Sequence, residues 1–175
     1  MHLKKGDVVA ILAANSPDWP LFFWASVSLG AVVASMNGWW SRDEIEYALE
    51  KTSPKLLVGD RRRLERLKSS DLDVPILELE SGRDGIFSHA TDAKLPDVRI
   101  DEDDPAVILF TSGTTGRPKG AVGTHRGIIG FCQVNMLGGA ISALTAAQEG
   151  TAPPPDPNPP AQEISLVTAP MFHLS

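Results

Sequence analysis

The residues best suited to chemistry lie together in Leu109-Phe110-Thr111-Ser112-Gly113-Thr114-Thr115-Gly116-Arg117-Pro118-Lys119-Gly120. The ten residues from Thr111 to Gly120 include three glycines, four hydroxyls and one lysine. Glycine lets a backbone come close to a ligand, and consecutive amides in such turns can face one concavity that binds an anion. The hydroxyls of Thr111, Ser112, Thr114 and Thr115 add donors, and Lys119 adds a mobile point charge. Together these groups suit a polyphosphate. Composition alone fits a flexible hairpin tip equally well. A Walker loop is excluded, because Gly113 and Gly116 stand too close together and Gly120 follows Lys119 where a hydroxyl is needed.

The flanking residues must hold this loop. The apolar run Val107–Phe110 leads in and Gly120-Ala121-Val122 leads out, which predicts a hairpin from 105 to 122. A helix from about His125 to Leu137 should follow, then a proline-rich connector at 151–160. A strand over 164–168 would deliver Met171-Phe172-His173 to a sheet edge, where ligands bind in α/β proteins. Upstream, Val8–Leu12 reads as a buried strand, and Trp19–Ser35 as a helix apolar on most faces, with Phe23 and Trp24 filling the core. Ser41 and Glu44 have capping-box spacing, Pro54 stops the helix they open, and 55–58 and 76–79 read as further strands. Asp60 caps a short helix whose basic run, Arg61 to Lys68, reads as a solvated face. Residues 81–104 lack periodicity and end in the acidic turn Asp101–Asp104. Strands separated by helices imply an α/β fold with parallel pairing through crossovers.

At 175 residues the chain can bury a sizeable core, and its 42% hydrophobic content is ordinary for a globular protein. A net charge of −6 argues against nucleic acid as a partner. Cys132 is the only cysteine and the four histidines show no ligand spacing, so no metal site is expected. No secretory signal opens the chain, and Leu21–Met36, the longest apolar stretch, falls short of a membrane span. The single cysteine suits a reducing compartment, and the expected location is the cytoplasm.

As one string, FTSGTTGRPKG resembles the phosphate-loop signature of the AMP-forming synthetases: acyl-CoA synthetases, peptide-synthetase adenylation domains and firefly luciferase. Gly6-Asp7-Val8-Val9-Ala10-Ile11, Asn15-Ser16-Pro17, Gly30-Ala31-Val32-Val33 with Met36-Asn37, Glu44 to Leu49 and Pro170-Met171-Phe172-His173 resemble other segments of the same superfamily. Thr124-His125-Arg126-Gly127 departs from the usual "THRN", which affects the helix start rather than the loop. The resemblance implies the layered sheet-and-helix part of such an enzyme's large N-terminal domain, spanning 1–175 and incomplete at both ends.

The resemblance also implies a reaction in which a fatty or related acid attacks the α-phosphorus of ATP, giving an acyl-adenylate and pyrophosphate, then a thioester with CoA. In that case Thr111, Ser112, Gly113, Thr114, Thr115, Gly116 and Gly120 would cradle phosphates and Lys119 would favour the departing pyrophosphate. Phe172 and His173 would border the acid and α-phosphate, with Lys119 and His173 as the catalytic pair. Mg2+ would be held by a carboxylate beyond Ser175, and the remainder of the same enzyme would be a partner. The chain alone is then expected to be catalytically incomplete and prone to association. The alternatives are part of a peptide-synthetase adenylation domain, or a non-catalytic product that binds nucleotide phosphate weakly.

Overall fold

The computed structural model describes residues 2–81, 94, 97–111, 117–152, 167 and 169–173. They fall into two compact units, Met1–His125 with Ala169–Ser175, and Arg126–Thr168.

The first unit is built on a six-stranded sheet, β1 (Val8–Leu12), β2 (Val32–Ser35), β3 (Leu56–Gly59), β4 (Ile76–Glu78), β5 (Pro105–Thr111) and β6 (Lys119–Thr124). The strand order is β4-β3-β1-β2-β5-β6, parallel throughout except for the antiparallel β5–β6 hairpin. The central strands are apolar runs because both of their faces are covered. Ala10, Leu12, Ala34, Met36 and Leu57 cluster with Ile45, Ala48 and Leu49 of helix α2 (Arg42–Thr52). Side chains alternate along a strand, so Val9, Ile11, Val33 and Ser35 project from the other face. Helix α1 (Asp18–Ser28) packs on β1 and β2 and buries Trp19, Phe23, Ser26 and Val27.

The local signals behave as their chemistry dictates. Glu44 N–H donates to the Ser41 hydroxyl and Ser41 N–H donates to the Glu44 carboxylate at 2.7 Å, completing the capping box at the start of α2. Asp60 accepts from Arg63 N–H at 3.0 Å and caps the short helix α3 (Arg61–Leu64). Asp101 N–H donates to the Asp104 carboxylate at 2.6 Å in the acidic turn ahead of β5.

Four expectations need correction. The helix read over Trp19–Ser35 stops at Ser28, and Val32–Ser35 forms β2, a fully buried central strand. Gly30, at φ +71°, follows the helix in a Schellman motif, with Gly30 N–H donating to Val27 O and Ala31 N–H to Ser26 O, both at 3.0 Å. Trp24 does not fill the core, for it is 60% exposed and meets Phe23 edge-on at 5.3 Å. The basic run is only partly solvated. Arg63 pairs with Asp60 at 2.8 Å in a half-buried setting, and Arg66 donates to the carbonyls of Gly38 and Trp40 at 3.0 and 2.8 Å. Finally, the helix after β6, α4, runs over His125–Gln148 and not only to Leu137.

Helix α4 is apolar and none of its residues is buried. Its 24 residues, which include an 18-residue window of mean hydropathy 1.5, make it long and apolar enough to cross a membrane by length and composition. Exposed large apolar side chains include Phe131, Val134, Met136, Leu137 and Leu144 on α4 and Leu21 and Trp24 on α1. The strand expected at 164–168, apart from Val167, and most of the connector at 151–160 lie outside the described residues.

Candidate functional site

The site is built at the carboxyl edge of the parallel strands. Ser35 at the end of β2 is level with Leu109 of β5, and β5 continues for two more residues to Thr111. At about 3.3 Å per residue, Thr111 stands roughly 6–7 Å further out along the sheet than Ser35. There β5 gives way to the hydroxyl-rich stretch, and β6 returns with Lys119 opposite Thr111 and Gly120 opposite Phe110. Ser112, Gly113, Thr114, Thr115 and Gly116 lie outside the described residues, so the described part of the loop is its two stems.

The stems present Thr111 and Lys119 at the surface. The Thr111 hydroxyl donates to Lys119 O at 3.4 Å, which closes the stem and leaves the lysine side chain outside the ladder. Among the described residues, no carboxylate lies at ion-pair distance from Lys119. The exit of the loop is fixed differently. The Arg117 guanidinium lies over the Tyr47 ring, 5.1 Å from its centroid. It belongs to an open cleft of about 550 Å³ shared with Pro118 and with Asp43, Glu44, Glu46 and Glu50 of α2. A cation over a tyrosine face amid carboxylates holds the exit against α2. Neither Arg117 nor Tyr47 stood out in the sequence, because stacking between residues 70 positions apart leaves no spacing signal.

Phe172 and His173 reach the same edge from the far end of the chain. Their segment is a turn closed by His173 N–H donating to Pro170 O at 2.9 Å. Phe172 is buried, its ring edge-on to Trp39 at 5.3 Å and tilted against the His173 ring at 4.7 Å, while His173 is exposed. The buried Ser35 hydroxyl donates to Phe172 O at 3.2 Å. Asn15, just beyond β1, donates to Ala169 O at 2.9 Å and accepts from Met171 N–H at 2.7 Å. Trp40 meets Phe110 edge-on at 5.0 Å, tying the loop after β2 to the end of β5. The fold thus brings Thr111, Lys119, Gly120, Phe172 and His173 to one edge. Among the described residues, no three His, Cys, Asp or Glu side chains are grouped as a metal ion would require.

The family model described as AMP-binding enzyme matches residues 1–175. The chain belongs to this family. It is 32% identical over 188 residues to the 4-coumarate–CoA ligase-like 4 protein of Oryza sativa subsp. japonica, covering 99% of this chain and 31% of that protein. Among solved structures, it is similar to a Mycobacterium tuberculosis fatty acyl CoA synthetase (TM-score 0.61, 28% identity, 70% of this chain and 25% of that one). It is also similar to the Klebsiella oxytoca NpsA N-terminal subdomain in complex with 3-hydroxybenzoyl-AMSN (TM-score 0.59, 30% identity, 72% and 30% covered). The chain therefore spans about a third of the length of the curated relatives it matches. Its α/β architecture is similar to that of an N-terminal domain of FACL13 from Mycobacterium tuberculosis (TM-score 0.62, 30% identity, 70% of this chain and 32% of that one).

Proposed function

We propose that the chain carries the triphosphate-gripping stems of a ligase that activates a carboxylic acid as its adenylate. A carboxylate oxygen attacks the α-phosphorus of ATP, and the bond to the bridging oxygen of pyrophosphate breaks. A thiol, that of CoA, then displaces AMP from the acyl carbon. Two anions have to meet in the first step, so the polyphosphate must be neutralised and held in line.

The observation that carries this reading is the exposed Lys119 on the stem of a glycine- and hydroxyl-rich loop at the strand ends. It has no carboxylate partner among the described residues. There its ammonium would attract the β- and γ-phosphates and favour the leaving pyrophosphate. Thr111, Ser112, Gly113, Thr114, Thr115, Gly116 and Gly120 would supply amides and hydroxyls. Phe172 would wall the acid, and His173, exposed beside it, would orient the attacking carboxylate. Relatives named for 4-coumarate and fatty acyl substrates support an aryl or fatty acid as the class.

A second reading, part of a peptide-synthetase-type adenylation domain, is favoured by the likeness to the NpsA subdomain and differs only in the acceptor thiol. The experiment is an ATP titration of the polypeptide and its Lys119→Ala variant. Loss of one charged phosphate contact should weaken binding by roughly tenfold or more. Equal affinity in the two proteins would remove the phosphate-grip claim. The polypeptide alone is expected to give no pyrophosphate exchange into ATP, and measurable exchange would show that it completes adenylation by itself.

A further inference from the structure

The Pro170–His173 turn has no strand partner among the described residues, yet it occupies a defined place at the ends of β1 and β2. Three side chains put it there, from positions 133 to 156 residues earlier in the chain. Ser35 is buried, so its hydroxyl needs a partner, and Phe172 O provides one. Trp39 covers the Phe172 ring. Asn15 does more than either. Its carboxamide donates to Ala169 O and accepts from Met171 N–H, as a neighbouring strand's backbone would. Among side chains of this length only asparagine offers both a donor and an acceptor, since an aspartate retains only the acceptor. The two bonds flank Pro170, the residue that begins the turn carrying Phe172 and His173.

We propose that Asn15 is a positioning residue for the acid end of the site: its two hydrogen bonds to the 169–171 backbone fix where Phe172 and His173 stand relative to the strand ends. The consequence for the acid rests on the adenylation reading above. The placement itself does not. Among the described residues Asn15 has no hydrogen bond to either loop stem, so it acts on the acid side of the reaction and leaves the grip on triphosphate alone.

The test uses the polypeptide with Asn15→Ala and Asn15→Asp. Three quantities are measured: ATP affinity, affinity for an acyl-sulfamoyl adenosine (decanoyl and hydroxybenzoyl forms), and the ring resonances of Phe172 and His173. Asn15→Ala should keep ATP affinity within about twofold, weaken the acyl-sulfamoyl adenosine by roughly tenfold and move both rings' resonances, since two hydrogen bonds are lost. Asn15→Asp, which keeps the acceptor, should fall between wild type and Asn15→Ala.

Equal weakening of both ligands would make Asn15 a general stabiliser and overturn the proposal, as would unmoved ring resonances. If wild type binds neither ligand, the adenylation reading fails, and the ring resonances alone decide the role of Asn15. Asn15 is exposed, so neither change opens the core. Should Asn15→Ala nevertheless lose its fold, the graded shift of Asn15→Asp carries the same decision.

Discussion

Two apolar stretches, 18–35 and 125–148, look alike in composition and end up as different objects. The first becomes an eleven-residue helix and a central strand, and nearly all of its second half is buried. The second becomes one helix of 24 residues with none buried. Glycine alone does not decide this, because Gly138 and Gly139 sit mid-helix in α4 and interrupt nothing. Gly30 interrupts because Val32 and Val33 of β2 follow it. Their β-branched side chains fit the slot between β1 and β5. Helix α4 ends at Gly150, φ +67°, by the same pair of Schellman bonds that end α1, Gly150 N–H to Ala147 O and Thr151 N–H to Ala146 O.

Matched substitutions can break that contrast. The largest difference is expected between the two phenylalanines. Phe23 is 4% exposed and stacks on Trp19 at 5.6 Å, whereas Phe131 on α4 is 59% exposed. Phe23→Ala should cost about 3–5 kcal/mol in denaturant unfolding, and Phe131→Ala no more than about 0.5 kcal/mol. Similar costs would mean that α4 is covered in solution.

Next come the glycines. A Cβ at Gly30 would stand 3.0 Å from Lys5 Cγ and 3.3 Å from Val98 Cγ1, in a left-handed conformation that costs an L-residue about 1–2 kcal/mol. Gly30→Ala should therefore lower stability by at least that amount. Gly139 has nothing within 4 Å of such a Cβ, so Gly139→Ala should raise the helicity of α4 and stabilise it by about 0.5–1 kcal/mol. Circular dichroism and unfolding midpoints separate the two signs.

The smallest effect concerns the lysine over Gly30. Lys5 pairs with Asp104 at 2.6 Å, and this hydrogen bond holds the Asp104 carboxyl below its ordinary pKa and raises that of Lys5. A depressed acid stabilises the fold above the ordinary carboxylate value of about 3.9, and the gain is lost as pH falls through the lower folded value. The raised lysine contributes fully below about 10.4, and its share is lost as pH rises through its folded pKa. Asp104→Asn should flatten both limbs of the midpoint–pH curve. Unchanged limbs would show the pair to be without effect on folding.

Much of the site could be read directly. The loop string, its lysine, the hairpin that carries it and the Phe172-His173 pair are contiguous residues, and the capping box of Ser41 and Glu44 and the Asp60 cap are short-range chemistry. Local spacing is enough for these because each partner lies within a few residues. The Trp19–Ser35 expectation failed where local and long-range terms compete. An apolar run satisfies a buried helix and a buried strand alike, and only pairing with β1 and β5 chooses between them.

The sequence by itself determined the family, the parallel α/β architecture and the contiguous glycine- and hydroxyl-rich string for which we propose a triphosphate, since hydrophobic runs and a contiguous motif are one-dimensional facts. Tertiary structure alone decided that β2 begins at Val32, that Arg117 rests on Tyr47, and that Asn15 holds the turn of Phe172 and His173 from more than 150 residues away. Those contacts arise from strand order and closure of the sheet edge. No spacing along the chain records which distant backbone groups will be left seeking a partner there.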